Sequence, residues 1–185
     1  MRIENCGYDY WAYRVTRDCL WTNIFKHDRR PESLTTLLRS NPIFTDLKER
    51  EIRELEEITH RRSFREGEAV FHEGEPGVGM YVIESGSVRV FICAPDSHEI
   101  ELASLGKGEF FGEAALLEDE PRSATVVALE DTALIGLFKP DLLDLIDRNP
   151  AAGVKIILKL AQILAARLRQ THEEMRRMRA EASKY

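Results

Sequence analysis

The stretch Phe111-Gly112-Glu113-Ala114-Ala115-Leu116-Leu117, followed by Pro121-Arg122-Ser123-Ala124-Thr125-Val126, decides how the chain is read. A carboxylate and a guanidinium stand nine residues apart, separated by small and apolar helix formers. Gly112 frees the backbone at the turn, where no Cβ obstructs a positive φ or the close approach of a ligand. Residues 114–117 continue readily as one helical turn. The first N–H groups of such a turn lack intrahelical acceptors and attract an anion. Arg122 returns on the next strand with a planar fork suited to phosphate oxygens. Ionised Glu113 is acceptor-only, so it suits a sugar hydroxyl better than a phosphate. An anion and a sugar hydroxyl, read together, describe a nucleotide. The competing reading, a turn carrying a surface Glu–Arg ion pair, is worth little energy.

Outward from this stretch, residues 61–139 read as short strands punctuated by glycine at 67, 74, 77, 79, 86, 106, 108 and 112. Eight strands are countable, near 61–65, 69–72, 80–84, 87–93, 98–104, 109–111, 123–129 and 132–138. Alternation is read in Met80-Tyr81-Val82-Ile83 and in residues 87–92. Short strands at regular spacing indicate a sandwich or barrel, and eight of them match a jelly roll. Residues 34–60 read as helix. Asn41-Pro42 interrupts the run, Asp46 with Glu49 is expected to cap the second helix, and Leu47, Ile52, Leu55 and Ile58 line its buried face. Lys139-Pro140-Asp141 opens a further helix, closed by Asn149-Pro150. The expected fold class is thus α+β: an eight-stranded antiparallel jelly-roll barrel flanked by N-terminal helices and a long C-terminal helix.

That last helix carries Val154, Ile157, Ala161, Leu164, Leu168, Thr171, Met175, Met178 and Ala182 at steps of three and four, an a/d seam over four heptads. A second stripe, Ile156, Leu160 and Ile163, occupies the first half alone. The helix is expected to lie first between barrel and partner, then to continue as a two-helix seam. Residues 173–179 set Glu173, Glu174, Arg176, Arg177 and Arg179 on its outside, where a solvated face explains them better than a nucleic-acid arm.

Composition narrows the class. The chain has 185 residues, 43% apolar and 31% charged, the size of one domain with extensions. A net charge of −6 argues against broad binding to nucleic acid or anionic membrane, so an anionic ligand needs a local cation such as Arg122. Cys6, Cys19 and Cys93 have no metal or disulfide spacing, and an odd count fits a reducing compartment. No apolar run is long enough for a membrane span, and the N-terminus lacks the apolar core of a signal peptide; a cytoplasmic location is expected. His27, His60, His72, His98 and His172 are scattered rather than clustered, which argues against a metal site, and no nucleophile–His arrangement suggests an enzyme. Residues 1–33 hold Trp11, Trp21, Tyr8, Tyr10, Tyr13 and Phe25, too aromatic for a disordered tail, and read as an extension that packs on something.

The stretch around Gly112 closely resembles the phosphate-binding cassette of the cyclic nucleotide-binding domain family: Phe-Gly-Glu, small or apolar residues, a variable loop, then Arg, a small residue and Ala. The family includes catabolite activators, kinase regulatory subunits and gated channels. The resemblance implies a regulatory ligand, cyclic AMP or cyclic GMP, with cyclic AMP favoured, and no metal. It puts the phosphate on Arg122, Ser123 and the amides near Ala114 and Ala115, with Ala124 completing the motif. The ribose falls to Glu113 and Gly112, and apolar walls to Val90 and Leu102. The segment Arg167-Leu168-Arg169-Gln170-Thr171-His172 resembles the helix that touches the purine in catabolite activators, with Thr171 matching the base-contacting threonine. Four extra residues before it shift Thr171 by about 6 Å along the axis. The implied organisation is an extension over 1–33, a binding domain over 34–148 and a dimerisation helix over 149–185. The expected partners are a second copy and an effector protein; the chain's end at Tyr185 leaves no DNA-binding module. The alternative left open is a nucleotide-free dimeric scaffold of the same fold, or a piece of a larger regulator.

Overall fold

Glycine-punctuated apolar segments do fold into eight antiparallel strands, and their faces explain where the helices go. The structure, a computed structural model, describes residues 33–96 and 98–182; the expected extension, Ser33 apart, lies outside the described residues. The strands are β1 (Thr59–Phe64), β2 (Ala69–Phe71), β3 (Gly79–Ser85), β4 (Ser87–Cys93), β5 (Glu99–Gly106), β6 (Phe110–Phe111), β7 (Thr125–Ala128) and β8 (Thr132–Phe138), each end within two residues of its sequence expectation. They make two four-stranded sheets, ordered β1-β8-β3-β6 and β2-β7-β4-β5. The jelly-roll pairing is as expected, but the two sheets face each other as a sandwich rather than closing into a continuous barrel.

Tyr81, Ile83, Val88, Phe111, Val126 and Leu134 fill the space between the sheets. The opposite face of the first sheet is also apolar: Met80, Val82, Ile135 and Leu137 join a second core with the helices. This corrects the alternation read in residues 80–83. All four are buried, because helices cover the outer face and a strand buried on both faces is apolar throughout.

The helices that cover it are α1 (Leu34–Ser40), α2 (Glu49–Glu57), α3 (Lys139–Arg148) and α4 (Pro150–Ala182), with a 3-10 turn at Pro42–Phe44. Asn41 is fully buried and caps that turn, its Oδ1 accepting from the Ile43 amide at 3.0 Å. The expected Asp46–Glu49 cap does not form. Helix α2 begins later, and Glu51 Oε2 accepts from the Lys48 amide at 2.7 Å, the reach-back arm of a capping box. Leu47, Ile52 and Leu55 face the core as expected, with Ile58 partly buried against it.

Helix α4 spans 33 residues, about 50 Å at 1.5 Å per residue. Gly153 sets its crossing with α3: a Cβ there would stand 2.4 Å from Ile146 Cγ1. Ala152, Ile156 and Leu160 are fully buried against the fold, with Ile157 and Ile163 packed partly against the same core; burying Ile156 and Leu160 is worth about 1.5–3 kcal/mol each. The second stripe is therefore the face that packs into the helical core covering the first sheet. Val154, Leu158, Leu168, Met175 and Met178 remain exposed. Among the described residues no helix is long and apolar enough to cross a membrane, and no group of three or more His, Cys, Asp or Glu is placed to hold a metal ion.

Candidate functional site: a buried cation under the terminal helix

Strand β6 ends at Phe111, and the chain turns through Gly112 at φ +75° into a short 3-10 turn, Glu113–Leu116. The turn is tighter than the α-helical one expected, with a consequence for its amides. The Ala115 N–H donates to the Gly112 carbonyl at 3.2 Å, so it is already engaged; the exposed Ala114 carries the amide without a backbone acceptor among the described residues.

Arg122 is held from both directions. Its amide donates to the Glu75 carbonyl and its carbonyl accepts from the Gly74 amide, each at 2.8 Å, beside a β-bridge between Pro76 and Pro121. The side chain runs inward and is 7% exposed. Nη2 donates to the Gly79 carbonyl at 2.7 Å and Nη1 to the Gly112 carbonyl at 3.2 Å. The guanidinium carbon lies 4.0 Å from the centroid of the Phe71 ring. Nε is buried without an acceptor, and among the described residues no carboxylate pairs with this cation. Burial pushes the Arg122 pKa below the usual guanidinium value, against the opposing pull of Tyr81 and Glu75. A buried cation without a counter-ion is a costly arrangement for a fold to keep, and an orphaned donor on it calls for an anionic acceptor.

Gly112 is required by this arrangement as well as by its φ. A Cβ there would stand 2.6 Å from Arg122 Nη1 and 3.3 Å from the Gly79 carbonyl oxygen.

Glu113 and Arg122 do not form the ion pair that the competing reading required. Glu113, 6% exposed, pairs instead with Arg167 of α4, Oε1 against Nη1. The Arg167 guanidinium also lies 4.9 Å from the centroid of the Phe110 ring. Sequence reasoning gave Arg167 no role. Its contact is 54 residues away in the chain, and what could have found it is its position four residues before Thr171, on the same helix face. Thr171 is one turn further along, exposed, its Oγ1 donating to the Arg167 carbonyl at 3.0 Å. The Glu113–Arg167 pair thus ties α4 to the cassette one turn before Thr171.

The remaining expected residues are placed as follows. Ser123, next to Arg122 in the chain, is exposed, and Ala124 is 7% exposed. Val90 packs partly against the core between the sheets. Leu102, on the edge strand β5, is 54% exposed. The β4–β5 register shifts between Val90 and Phe91, which pair with Ala103 and Glu101, so Leu102 is the extra residue of a bulge.

Residues 61–149 match the family described as cyclic nucleotide-binding domain. The chain belongs to the cyclic nucleotide-binding domain family. It is 38% identical over 138 residues to the cyclic AMP receptor protein of Thermus thermophilus, covering 75% of this chain and 62% of that one. It is 36% identical over 131 residues to a cAMP-dependent protein kinase regulatory subunit of Hypocrea atroviridis, covering 70% of this chain and 27% of that one. Among solved structures it resembles a cyclic nucleotide-binding domain from Methylobacillus flagellatus, with a TM-score of 0.69 and 26% identity over 76% of this chain and 81% of that one. The chain thus spans under two thirds of the length of these two curated relatives.

Proposed function

We propose that this chain is a cyclic nucleotide sensor, a regulator and not an enzyme, that takes cyclic AMP in preference to cyclic GMP and passes the signal through α4. The observation that carries the reading is the buried, counter-ion-free Arg122 with its orphaned Nε–H. A cyclic phosphate supplies both the missing charge and the missing acceptor, with the Ser123 hydroxyl and the Ala114 amide as further donors. Such charge-assisted bonds are about twice as strong as neutral ones. Glu113 has Oε1 engaged by Arg167, and Oε2 is the acceptor we assign to the ribose 2′-hydroxyl, beside the Gly112 backbone. Val90 and Leu102 serve as apolar walls, and Thr171 is the base contact on α4.

Glu113 lies on the sandwich and Arg167 on α4, so a ligand held by Glu113 reaches the helix through one side chain. Its free energy can bias the helix by no more than its difference in affinity for the two helix states. The exposed stripe of Val154, Leu168, Met175 and Met178 supports a homodimer along residues 154–182. In this reading residues 34–148 form the binding unit, residues 149–185 the dimerisation helix, and the output goes to an effector protein in the cytoplasm.

The test is calorimetric titration of the wild type and Arg122→Leu with cyclic AMP and cyclic GMP. Saturable wild-type binding is expected, tighter for cyclic AMP, with a loss of about 2–5 kcal/mol in the variant, as for one partner of a desolvated charge pair. A variant that binds like wild type would refute the site. No wild-type binding below millimolar would refute the sensor and leave the nucleotide-free scaffold.

A further inference from the structure

Phe71, in β2, lies outside the cassette, yet its ring stands against the Arg122 cation. The guanidinium carbon is 4.0 Å from its ring centroid, inside the range in which a ring face attracts a cation. The ring is itself braced by Phe111 at 5.8 Å and Tyr81 at 6.4 Å between centroids, and Tyr81 in turn lies 5.6 Å from Phe111. The fork of Arg122 therefore has three restraints: a ring beneath its face, the Gly79 carbonyl at one terminal nitrogen and the Gly112 carbonyl at the other. With both terminal nitrogens bonded, Nε is the guanidinium nitrogen left without a partner.

The ring does something an aliphatic side chain of similar size cannot. A leucine would fill the space but has no negative face, and so would neither orient the fork nor offset the missing counter-ion. Restraint before binding matters because an arginine side chain has many rotamers, and the freedom lost in holding one of them is lost before the ligand arrives.

We propose that Phe71 is a positioning residue for anion recognition: its ring holds the Arg122 fork in its binding orientation and stabilises the charge while the site is empty. The inference rests on the sensor reading of the same site. It sets an aromatic requirement at position 71 that neither the fold nor the cassette motif imposes.

The experiment compares Phe71→Leu, Phe71→Met and Phe71→Tyr with wild type, using cyclic AMP as the probe. Phe71→Leu and Phe71→Met are expected to weaken binding about tenfold, the size of a partly desolvated cation–ring contact, and Phe71→Tyr to stay within about twofold. Phe64→Leu controls for packing. Phe64 also packs against the core between the sheets, so this variant should lower the melting temperature while leaving affinity within about twofold. If Phe71→Leu fails to fold, Phe71→Met carries the comparison. A ligand-free readout is the Arg122 Nε–H resonance in proton–nitrogen NMR. In wild type and Phe71→Tyr it should be shifted by the ring, and in Phe71→Leu that shift should vanish. Wild-type binding with Phe71→Leu and Phe71→Met unaffected would overturn the positioning role and leave the sensor standing. Equal weakening in Phe71→Tyr and Phe64→Leu would reduce Phe71 to packing and overturn it too. Absence of wild-type binding would remove the sensor reading, and this inference with it.

Discussion

Replacing Gly112 by alanine should separate two costs that this residue keeps together. The first is conformational. Gly112 sits at φ +75°, where a residue with a Cβ is destabilised by about 1–2 kcal/mol. For a domain of this size that corresponds to a fall in melting temperature of about 3–7 °C. The second is steric and falls on Arg122. The new Cβ would lie 2.6 Å from Nη1, so the guanidinium must move. Being the far end of a flexible side chain, it can move at modest cost to the fold, but only by giving up the bond to the Gly112 carbonyl and the stack on Phe71. A charged hydrogen bond is worth about 1.5–3 kcal/mol, so on the sensor reading affinity should fall at least tenfold. The assay is a double-mutant cycle with Arg122→Leu, following thermal unfolding for all four proteins and calorimetry for those that bind. With the arginine absent, Gly112→Ala should retain only the conformational cost. If Gly112→Ala melts like wild type, or binds cyclic AMP with wild-type affinity, the account of this turn is wrong.

Arg167→Ala should cost under about 1 kcal/mol of stability, because the arginine is about half exposed. It should nonetheless speed amide exchange of α4 beyond Leu164, where the helix has little burial to hold it; unchanged exchange would mean that the pair with Glu113 does not tether the helix. Burial pushes the Glu51 pKa up, but the hydrogen bonds from Lys155 Nζ at 2.6 and 2.8 Å and from the Lys48 amide outweigh it and hold the pKa below the usual 4.5. A lowered carboxylate pKa stabilises the fold above pH 4.5 and loses that contribution as pH falls through the folded-state value. The stability gap between wild type and Glu51→Gln should therefore be widest near neutrality and narrow below about pH 4 in melts from pH 7 to 3, and a gap independent of pH would contradict it. Leu168→Glu with Met175→Glu places two charges on the exposed stripe of α4, and sedimentation equilibrium should show a wild-type dimer become a monomer. A monomeric wild type, or a variant that stays dimeric, would rule the stripe out as the interface.

What the sequence made legible follows from how local each signal is. The strands were readable because each is bounded by turn residues of its own; β4 and β8 fell where expected to the residue. The left-handed turn at Gly112 was readable because the glycine and its flanking residues form one continuous stretch; the contact of its carbonyl with Arg122 was not. The start of α2 was misread because Asp46 is a good capping residue and Lys48 is not, while the group that caps, Glu51, reaches back from inside the helix. The two-sided burial of β3 was misread because no pattern within the strand announces that helices cover its outer face. Arg167 and Phe71 escaped for a deeper reason. Each acts on the cassette through a contact that exists only once β2, β6 and α4 are packed together, and each also has an ordinary explanation in its own element: a charge on a helix, an aromatic in a strand.

The two residues that opened the reading have different holders in the folded chain. The cation, Arg122, is gripped by the sandwich, through the Gly79 carbonyl, the Gly112 carbonyl and the Phe71 ring. The carboxylate, Glu113, is gripped by the helix, through Arg167. A ligand that engaged Arg122 alone would bind without altering any contact of α4, since among the described residues no group that holds Arg122 belongs to that helix. A ligand that also engages Glu113 must share a carboxylate with Arg167, and so cannot be indifferent to where the helix lies. On the sensor reading, the phosphate then supplies most of the affinity and the sugar hydroxyl supplies the coupling. The two contributions separate because they reside in bonds with different partners.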